Sequence, residues 1–190
     1  MEGKQEQIGR YLEELIRWGG RMNLVGSTDR DALQVHVQDS LAASSALPRD
    51  ARVVDLGSGA GFPGVPLAIA RPDLSMVLVE IREARVHFLR HVVRTLDLGC
   101  EVRRCRIEEA PTSEQFDFVV ARAVGPLADV LAGSLGWLRP HGETWVWTRT
   151  RGDEAGLVES STIEIDPPSG ARGHILRVPA RAIPRGTLTD

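Results

Sequence analysis

Apolar residues recur along this chain with two different spacings, which predict where helices and strands lie. In the first 48 residues the helical spacing predicts two helices, one over 5–18, ended by Gly19-Gly20, and one from a capping box at Thr28 to about residue 46. Short apolar runs further along predict five strands, over 52–56, 76–80, 101–105, 116–121 and 143–148, with helices over 65–70, 82–96 and 126–138 between them. A turn at 140–142 and a closing antiparallel pair, 162–165 with 174–178, complete the pattern.

Strands and helices that alternate in this way are typical of an α/β fold with a doubly wound, mostly parallel sheet. Ligands of such folds bind at the carboxyl ends of the strands. We therefore predict a single domain over residues 1–190, in which N-terminal helices in 1–48 precede a Rossmann-like core over 51–190. Trp145 and Trp147 alternate onto one face of the fifth predicted strand, where we expect them to be part of the core.

The composition of the 190 residues limits the possible functions. Apolar residues make up 42%, and no run approaches the ~18 residues that a membrane span needs. Charged residues interrupt the first 20 positions, so we predict no secretory signal and a cytoplasmic protein. The two cysteines lack metal-ligand spacing and companions, so they predict neither a disulfide framework nor a metal site.

One stretch, residues 53–64, combines a strand, a glycine-rich turn and the start of a helix. Asp55 lies near the end of the apolar run, and four glycines follow it: Gly57, Gly59, Gly61 and Gly64. A glycine turn lets a ligand approach the backbone closely, because glycine has no side chain. The spacing also fits the dinucleotide fingerprint G-x-G-x-x-G, which on its own is a weak signal.

The charge beside this turn separates the possible cofactors. A dinucleotide places an anionic pyrophosphate at the turn, where Asp55 would repel it. S-adenosylmethionine has a sulfonium and an ammonium against one carboxylate, so an acid beside it is favourable. Glu80, 23 residues beyond Gly57, ends the second predicted strand and can accept hydrogen bonds from ribose hydroxyls. The sequence therefore favours S-adenosylmethionine, with a dinucleotide or a purely structural turn as alternatives.

The basic residues are unevenly distributed. The formal net charge of −3 argues against indiscriminate binding of nucleic acid, and every basic residue except Lys4 is an arginine. Seven arginines fall between positions 82 and 106: Arg82, Arg85, Arg90, Arg94, Arg103, Arg104 and Arg106. Arginine pairs bidentately with phosphate and stacks on bases, so this cluster either holds RNA or is an ordinary solvated face. If it holds RNA, we expect Arg82 and Arg85 to touch phosphate.

Several motifs together resemble the bacterial small-subunit (16S) ribosomal RNA guanine-N7 methyltransferases, a family of class I S-adenosylmethionine-dependent enzymes. The matching segments run in the family's order across about residues 11–148: Trp18, Asn23-Leu24, His36-x-x-Asp39-Ser40-Leu41, the stretch 55–64, Arg85-x-x-Phe88-Leu89, Arg106-x-Glu108-Glu109 and Arg122-Ala123-Val124. General methyltransferases share only the glycines and the acid, whereas the Gly-Phe-Pro-Gly ending and the His36 motif are specific to this family.

The resemblance also implies a site and a substrate. It implies cofactor contacts at Gly57, Phe62, Glu80, Ile107, Glu108 and Arg122, to which the glycine turn adds Asp55, Gly59 and Gly61. It implies a substrate in the decoding region of 16S rRNA, as naked RNA or as the small ribosomal subunit. Arg85, which belongs to a family-like motif, and Arg122 are the residues we expect to contact that RNA.

Three positions depart from the family's pattern. Gly19 stands where an asparagine usually follows the tryptophan, Ala84 replaces a lysine before Arg85, and Thr148 stands where a lysine ends the fifth strand. These departures remove polar or cationic groups that could touch RNA. Two alternatives therefore stay open, a methyltransferase of the same fold acting on a small molecule or protein, and a non-catalytic protein that binds S-adenosylmethionine and RNA.

The predicted chemistry needs no catalytic side chain. Guanine N7 has an exposed lone pair and no proton to lose, so methyl transfer needs only in-line positioning. The fourth strand leads into Arg122-Ala123-Val124, which offers neither the acceptors that an adenine-N6 enzyme uses nor a nucleophilic cysteine. His36, Asp39 and Ser40 contain the residue types of a hydrolytic triad, but they lie too close together on one helix to form one.

Overall fold

A seven-stranded sheet forms the centre of the protein, as seen in a computed structural model that describes residues 3–22, 24–149, 152, 156–157, 159–165 and 173–184. Asn23, one of the motif residues, lies outside this described part. The strands in chain order are β1 (Arg52–Leu56), β2 (Ser75–Val79), β3 (Glu101–Arg103), β4 (Phe116–Arg122), β5 (Leu138–Thr148), β6 (Ser161–Ile165) and β7 (Gly173–Pro179). Their order across the sheet is β3-β2-β1-β4-β5-β7-β6.

The strand directions confirm the predicted doubly wound sheet. Strands β1 to β5 run parallel to their neighbours, whereas β7 is antiparallel to β5 and β6 is antiparallel to β7. The chain order reverses at β1, which lies between β2 and β4. In open α/β sheets a crevice forms at such a reversal, outside the carboxyl ends of the strands.

Helices cover both faces of the sheet. They are α1 (Lys4–Met22), α2 (Arg30–Leu41), α3 (Gly64–Ala70), α4 (Glu83–Thr95) and α5 (Leu127–Ser134), with a 3₁₀ helix at Ala180–Ala182. Apolar residues of α1 to α4 share one core cluster with Val53, and those of α5 share another with Val54, because successive strand residues point to opposite faces. None of the helices described here is both long and apolar enough to cross a membrane.

The two N-terminal helices differ from their predicted bounds. Helix α1 continues through Gly19-Gly20 to Met22, and at Gly19 the following loop packs closely against the helix. Helix α2 begins one residue after Asp29, whose carboxylate accepts a hydrogen bond from the N–H of Ala32 at 2.9 Å, so Asp29 rather than Thr28 is the cap. It ends at Leu41, earlier than predicted.

The fifth strand is longer than predicted and the helix before it is shorter. Residue Phe116 pairs with Leu138 and Phe118 with Glu143, so the predicted turn at 140–142 is an irregular segment inside β5. The predicted helix over 126–138 ends at Ser134, because the chain must enter the sheet at Leu138. Both tryptophans of β5 belong to the same core cluster, as predicted, and the pairing of β6 with β7 is also confirmed.

The adjacent glycines of α1 provide a matched test of this packing. A Cβ at Gly20 would have nothing within 4 Å, whereas a Cβ at Gly19 would lie 2.8 Å from Cγ2 of Thr28. We expect Gly20→Ala to raise the free energy of unfolding by about 0.5–1 kcal/mol, the usual gain of alanine over glycine in a helix. Gly19→Ala gains the same amount but must displace Thr28, which costs about 1–3 kcal/mol, so it should be neutral or destabilising. Urea denaturation of both variants checks this, and an equal stabilisation would contradict the contact.

Candidate functional site

The glycine turn between β1 and α3 is held together by its own backbone hydrogen bonds. Gly57, Gly59 and Gly61 have φ angles of 69°, 57° and 102°, a region in which side chains are strained. The N–H of Ser58 donates to the carbonyl of Val79 at 2.9 Å, which ties the turn to β2. The N–H of Gly61 donates to the carbonyl of Ser58 at 2.6 Å, which closes the turn.

Asp55 lies behind this turn, fully buried. Its Oδ2 accepts a hydrogen bond from the N–H of Gly64 at 3.1 Å, and its Oδ1 has no hydrogen-bond partner among the described residues. Burial raises the pKa of Asp55 to about 7, and the bond from Gly64 only partly opposes this shift. Asp55, predicted to contact the cofactor, therefore holds the start of α3 against β1 and is not among the residues that line the cleft in front of the turn.

That cleft, which we call the strand-end cleft, has a volume of about 450 Å³, within the usual range for ligand pockets. Four residues predicted to contact the cofactor line it: Gly57, Glu80, Ile107 and Glu108. Arg82 and Arg85 line it as well. The ends of β1, β2 and β4 and the segment after β3 thus meet at one place, as the sheet topology requires.

Glu80 connects the walls of this cleft and is only 5% exposed. Its Oε1 accepts hydrogen bonds from the N–H groups of Ile81 at 2.7 Å and Arg82 at 2.8 Å. Its Oε2 accepts from the N–H of Gly59 at 3.1 Å and lies 3.7 Å from Nη1 of Arg85. A carboxylate oxygen can accept about two hydrogen bonds, so Oε2 retains capacity for a ligand hydroxyl.

Ile81 is a residue of the cleft that the sequence patterns did not single out. It follows the acid at the end of β2, lines the strand-end cleft and is 42% exposed, which is unusual for a large apolar side chain. With Ile107 it supplies apolar surface to the cleft that Glu80 also lines. The sequence feature that could have identified it is an apolar residue directly after the acid that ends a strand, at a position where no core was expected.

Arg122 lies in a different cavity of about 260 Å³, the Arg122 pocket, whose lining also includes His36, Asp39, Trp147 and Thr148. Its Nη2 donates to Nδ1 of His36 at 2.6 Å, and its Nη1 donates to the carbonyl of His36 at 3.3 Å. Oδ2 of Asp39 is 3.6 Å from Nη2. Burial lowers the pKa of both Arg122 and His36, and the charge of Arg122 lowers the pKa of His36 further.

Gly61 and Phe62 face this second side, toward the N-terminal helices. The ring of Phe62 lies edge-on to His36 at 5.5 Å and to Tyr11 at 5.6 Å, measured between ring centroids. The hydroxyl of Tyr11 donates to the carbonyl of Ala60 at 2.7 Å, and a Cβ at Gly61 would lie 2.9 Å from that hydroxyl. The two residues therefore dock α1 and α2 onto the turn.

The predicted site residues are thus divided between two cavities that adjoin at the end of β4. Ala123 and Val124 line the strand-end cleft, whereas the residue before them, Arg122, lines the Arg122 pocket. A third cavity, of about 320 Å³, is lined by all three of these residues. Ala123 has a φ angle of 53°, and this left-handed residue is where the chain turns from one cavity to the other.

The His36 segment has the packing contacts of a helix and no triad geometry. The hydroxyl of Ser40 is buried and donates to the carbonyl of His36 at 2.7 Å, one turn back in the same helix. Nε1 of Trp147 donates to the carbonyl of Asp39 at 2.8 Å. The hydroxyl of Ser40 is thus bonded to the helix backbone, and the ring of His36 is bonded to Arg122.

The arginine cluster does not form one surface. Arg103 pairs with Glu101 and Glu114, and Arg104 lies 3.1 Å from a carboxylate oxygen of Glu83. Arg90 and Arg94 are exposed on α4, away from the residues of the cleft. Only Arg82, Arg85 and Arg106 of the seven line the strand-end cleft.

The raised pKa of Asp55 predicts how stability depends on pH. Between the ordinary pKa of an aspartate and about 7, the folded protein keeps a proton on Asp55 that the unfolded chain releases, so this group's contribution to stability falls as pH rises. Asp55→Asn removes this dependence. We expect its free energy of unfolding, relative to the parent, to increase by about 2–3 kcal/mol from pH 5 to pH 8. Asp129→Asn, on an exposed position of α5, is the control, and parallel pH curves for parent and Asp55→Asn would refute the assignment.

Comparisons with known proteins agree with this geometry. The sequence profile of the family described as "rRNA small subunit methyltransferase G" matches residues 4–162. The ribosomal RNA small subunit methyltransferase G of Desulfotalea psychrophila is 42% identical over 143 residues, which are 72% of this chain and 66% of that protein. Its counterpart in Mycolicibacterium paratuberculosis is 43% identical over 137 residues, 70% of this chain and 55% of that protein.

A solved structure shows the same fold. A SAM-dependent methyltransferase from Aquifex aeolicus, 15% identical, superposes with a TM-score of 0.61 over 80% of this chain and 94% of its own. The chain spans little more than half to just under two thirds of the length of the two curated relatives above. The family match covers most of the sequence and confirms the resemblance that the motifs indicate: the chain belongs to the rRNA small subunit methyltransferase G family.

Proposed function

We propose that this chain is an S-adenosylmethionine-dependent methyltransferase that acts on N7 of a guanosine in 16S rRNA, within one domain formed by residues 1–190. The observation that supports it best is the strand-end cleft, in which Oε2 of Glu80 retains acceptor capacity beside Ile81 and Ile107. Glu80 would hold the ribose hydroxyls there, and the two isoleucines would hold the adenine ring. Family membership supports the same activity.

The backbone of the turn argues against a dinucleotide. A pyrophosphate needs free N–H groups at the glycine turn and the helix start. Here the N–H groups of Ser58, Gly59, Gly61 and Gly64 already donate to Val79, Glu80, Ser58 and Asp55, respectively. A pyrophosphate that used these four N–H groups would have to break their bonds, and it would bring its negative charge next to Glu80. A cationic cofactor meets neither obstacle.

The residues at the end of β4 suit an acceptor that has no proton to lose. S-adenosylmethionine supplies a methyl group on a sulfonium, and a guanine N7 lone pair needs only to be placed in line with it. The segment 123–126 directly after β4 contains no aspartate, cysteine or proline pair, and Nδ1 of His36 is taken by Arg122. The protein's own contribution is therefore positioning, and we propose no general base and no catalytic metal.

The substrate we propose is 16S rRNA, as naked RNA or in the small ribosomal subunit, which also places the protein in the cytoplasm. Arg82 and Arg85 at the mouth of the strand-end cleft, and Arg122 in the adjoining pocket, would contact it. Thr148, where the family has a lysine, lines the Arg122 pocket, and Ala84 is exposed beside Arg85. These two positions favour a second candidate, a small-molecule or protein methyltransferase.

One experiment separates the candidates. Labelled S-adenosylmethionine is incubated with the protein and with unmethylated small subunits, naked 16S rRNA or a set of small molecules, and N7-methylguanosine in the RNA is located by chemical cleavage. We expect label at a single guanosine of 16S rRNA. Label only in small molecules would support the second candidate, and cofactor binding without any transfer would indicate a non-catalytic protein.

The role of Glu80 predicts a loss of cofactor affinity. Glu80→Gln keeps the size of the side chain but removes its charge, so we expect the Kd for S-adenosylmethionine to rise roughly 10- to 100-fold, as for lost hydrogen bonds to a charged group. Glu83→Gln, an exposed position at the start of α4, should leave the Kd unchanged. Calorimetry measures both, and tight binding of NAD instead of S-adenosylmethionine would reject the proposed cofactor.

The proposed contact of Arg85 with phosphate predicts a change in salt dependence. The plot of log affinity for RNA against log salt has a negative slope, and Arg85→Ala should reduce the magnitude of that slope by roughly 0.7–0.9. The affinity for S-adenosylmethionine should change little. Arg94→Ala, near the other end of α4, is the matched control and should keep the parent slope. Filter binding of 16S rRNA over a range of salt concentrations tests this. If both variants behave like the parent, the cluster is only a solvated face.

A further inference from the structure

The contact between Arg122 and His36 determines which ring nitrogen of His36 bears a hydrogen. A guanidinium has only donors, so Nδ1 of His36, 2.6 Å from Nη2, must accept and cannot itself be protonated. Burial and the charge of Arg122 lower the pKa of His36, with Asp39 opposing, so the ring is neutral at pH 7. The remaining hydrogen is therefore on Nε2. His36 is a hydrogen-bond donor at that atom and at no other ring nitrogen.

The position of this donor relates it to the reacting base. His36 lines the Arg122 pocket, which adjoins the strand-end cleft at Arg122-Ala123. Within the described residues, Nε2 of His36 makes no hydrogen bond, whereas the ring is fixed on its other side by Arg122 and edge-on by Phe62. His36 thus brings a neutral N–H donor of fixed orientation to the lining of the Arg122 pocket, next to the proposed methyl-transfer site.

Purine bases differ at the edge that carries N7. Guanine presents two acceptors there, N7 and O6, whereas adenine presents the N7 acceptor and an N6 amino donor. Once N7 is aligned for methylation, the neighbouring group is O6 in guanine and the amino group in adenine. A hydrogen-bond donor at this position therefore favours guanine over adenine, whereas a hydrogen-bond acceptor would favour adenine.

Resting on the proposed function, we propose that His36 determines specificity for guanine by donating a hydrogen bond from Nε2–H to O6, and that Arg122 is a positioning residue that fixes the required tautomer. Asp39 completes the arrangement, since its Oδ2, 3.6 Å from Nη2, balances the half-buried charge of Arg122. No bond is made or broken by His36, and its ring need not titrate. The interaction is one of recognition alone.

Two amide substitutions separate this role from packing. The amide nitrogen of glutamine can occupy the place of Nε2, whereas that of asparagine reaches only the place of Nδ1. With unmethylated small ribosomal subunits as the probe, we expect kcat/KM for methyl transfer to fall roughly 10- to 100-fold in His36→Asn and His36→Phe, the usual worth of a base-edge hydrogen bond. His36→Gln should recover most of the loss, and the Kd for S-adenosylmethionine should stay at the parent value in all three.

The outcomes are distinguishable. Equal losses in His36→Gln and His36→Asn, or parent activity in His36→Phe, would overturn the proposal while leaving the methyltransferase activity intact. If the parent itself transfers no methyl group to subunits or naked rRNA, the proposed function fails and this inference fails with it. Nitrogen NMR of the histidine rings gives a readout without activity. Nε2–H in the parent supports the proposal, and Nδ1–H would refute it.

Discussion

The backbone N–H groups of the turn after β1 need hydrogen-bond acceptors, and the rest of the site depends on this constraint. Four of its N–H groups, those of Ser58, Gly59, Gly61 and Gly64, have acceptors inside the protein. Two of these acceptors are carboxylates on opposite sides of the turn: Asp55 behind it and Glu80 in front of it. Because buried N–H groups are costly to leave unpaired, removing either acid disturbs the turn as well as the charge of the site.

The two acids have different surroundings and therefore different roles. Asp55 has a single N–H donor and no solvent exposure, which explains why its neutral form is favoured up to about pH 7. Glu80 has three N–H donors and an arginine nearby, and it lies on the wall of a cleft. Of these two acids, only Glu80 can contact a ligand in the cleft directly. The charge argument that favours S-adenosylmethionine from the sequence therefore applies better to Glu80 than to Asp55.

The sequence predicts best what depends on local pattern. The bounds of β1, the turn and the acid after β2 follow from apolar periodicity and glycine spacing, and the structure confirms these elements. The contact of Arg122 with His36 joins residues 86 positions apart, which no periodicity reports. The burial of Asp55 is also a tertiary effect, because β2 and β4 lie on either side of it in the sheet, with Leu78 and Val120 as its partners. Helix α1 continues past its two glycines, and Gly19 lies where the neighbouring loop leaves no room for a side chain, so this glycine reflects tertiary packing and does not end the helix.

The end of β4 explains why one short segment can serve both cavities. A Cβ at Gly57 would lie 2.7 Å from Cγ1 of Val124, so the turn after β1 and the end of β4 interlock where glycine leaves room. Ala123, at a φ angle of 53°, is held in a left-handed conformation that costs a non-glycine residue about 1–3 kcal/mol. That conformation directs Val124 to the strand-end cleft and leaves Arg122 in the pocket with His36. The contact that shapes the proposed cofactor site therefore also sets the position of the proposed base-recognition site, so a change at Gly57 or Ala123 should disturb both.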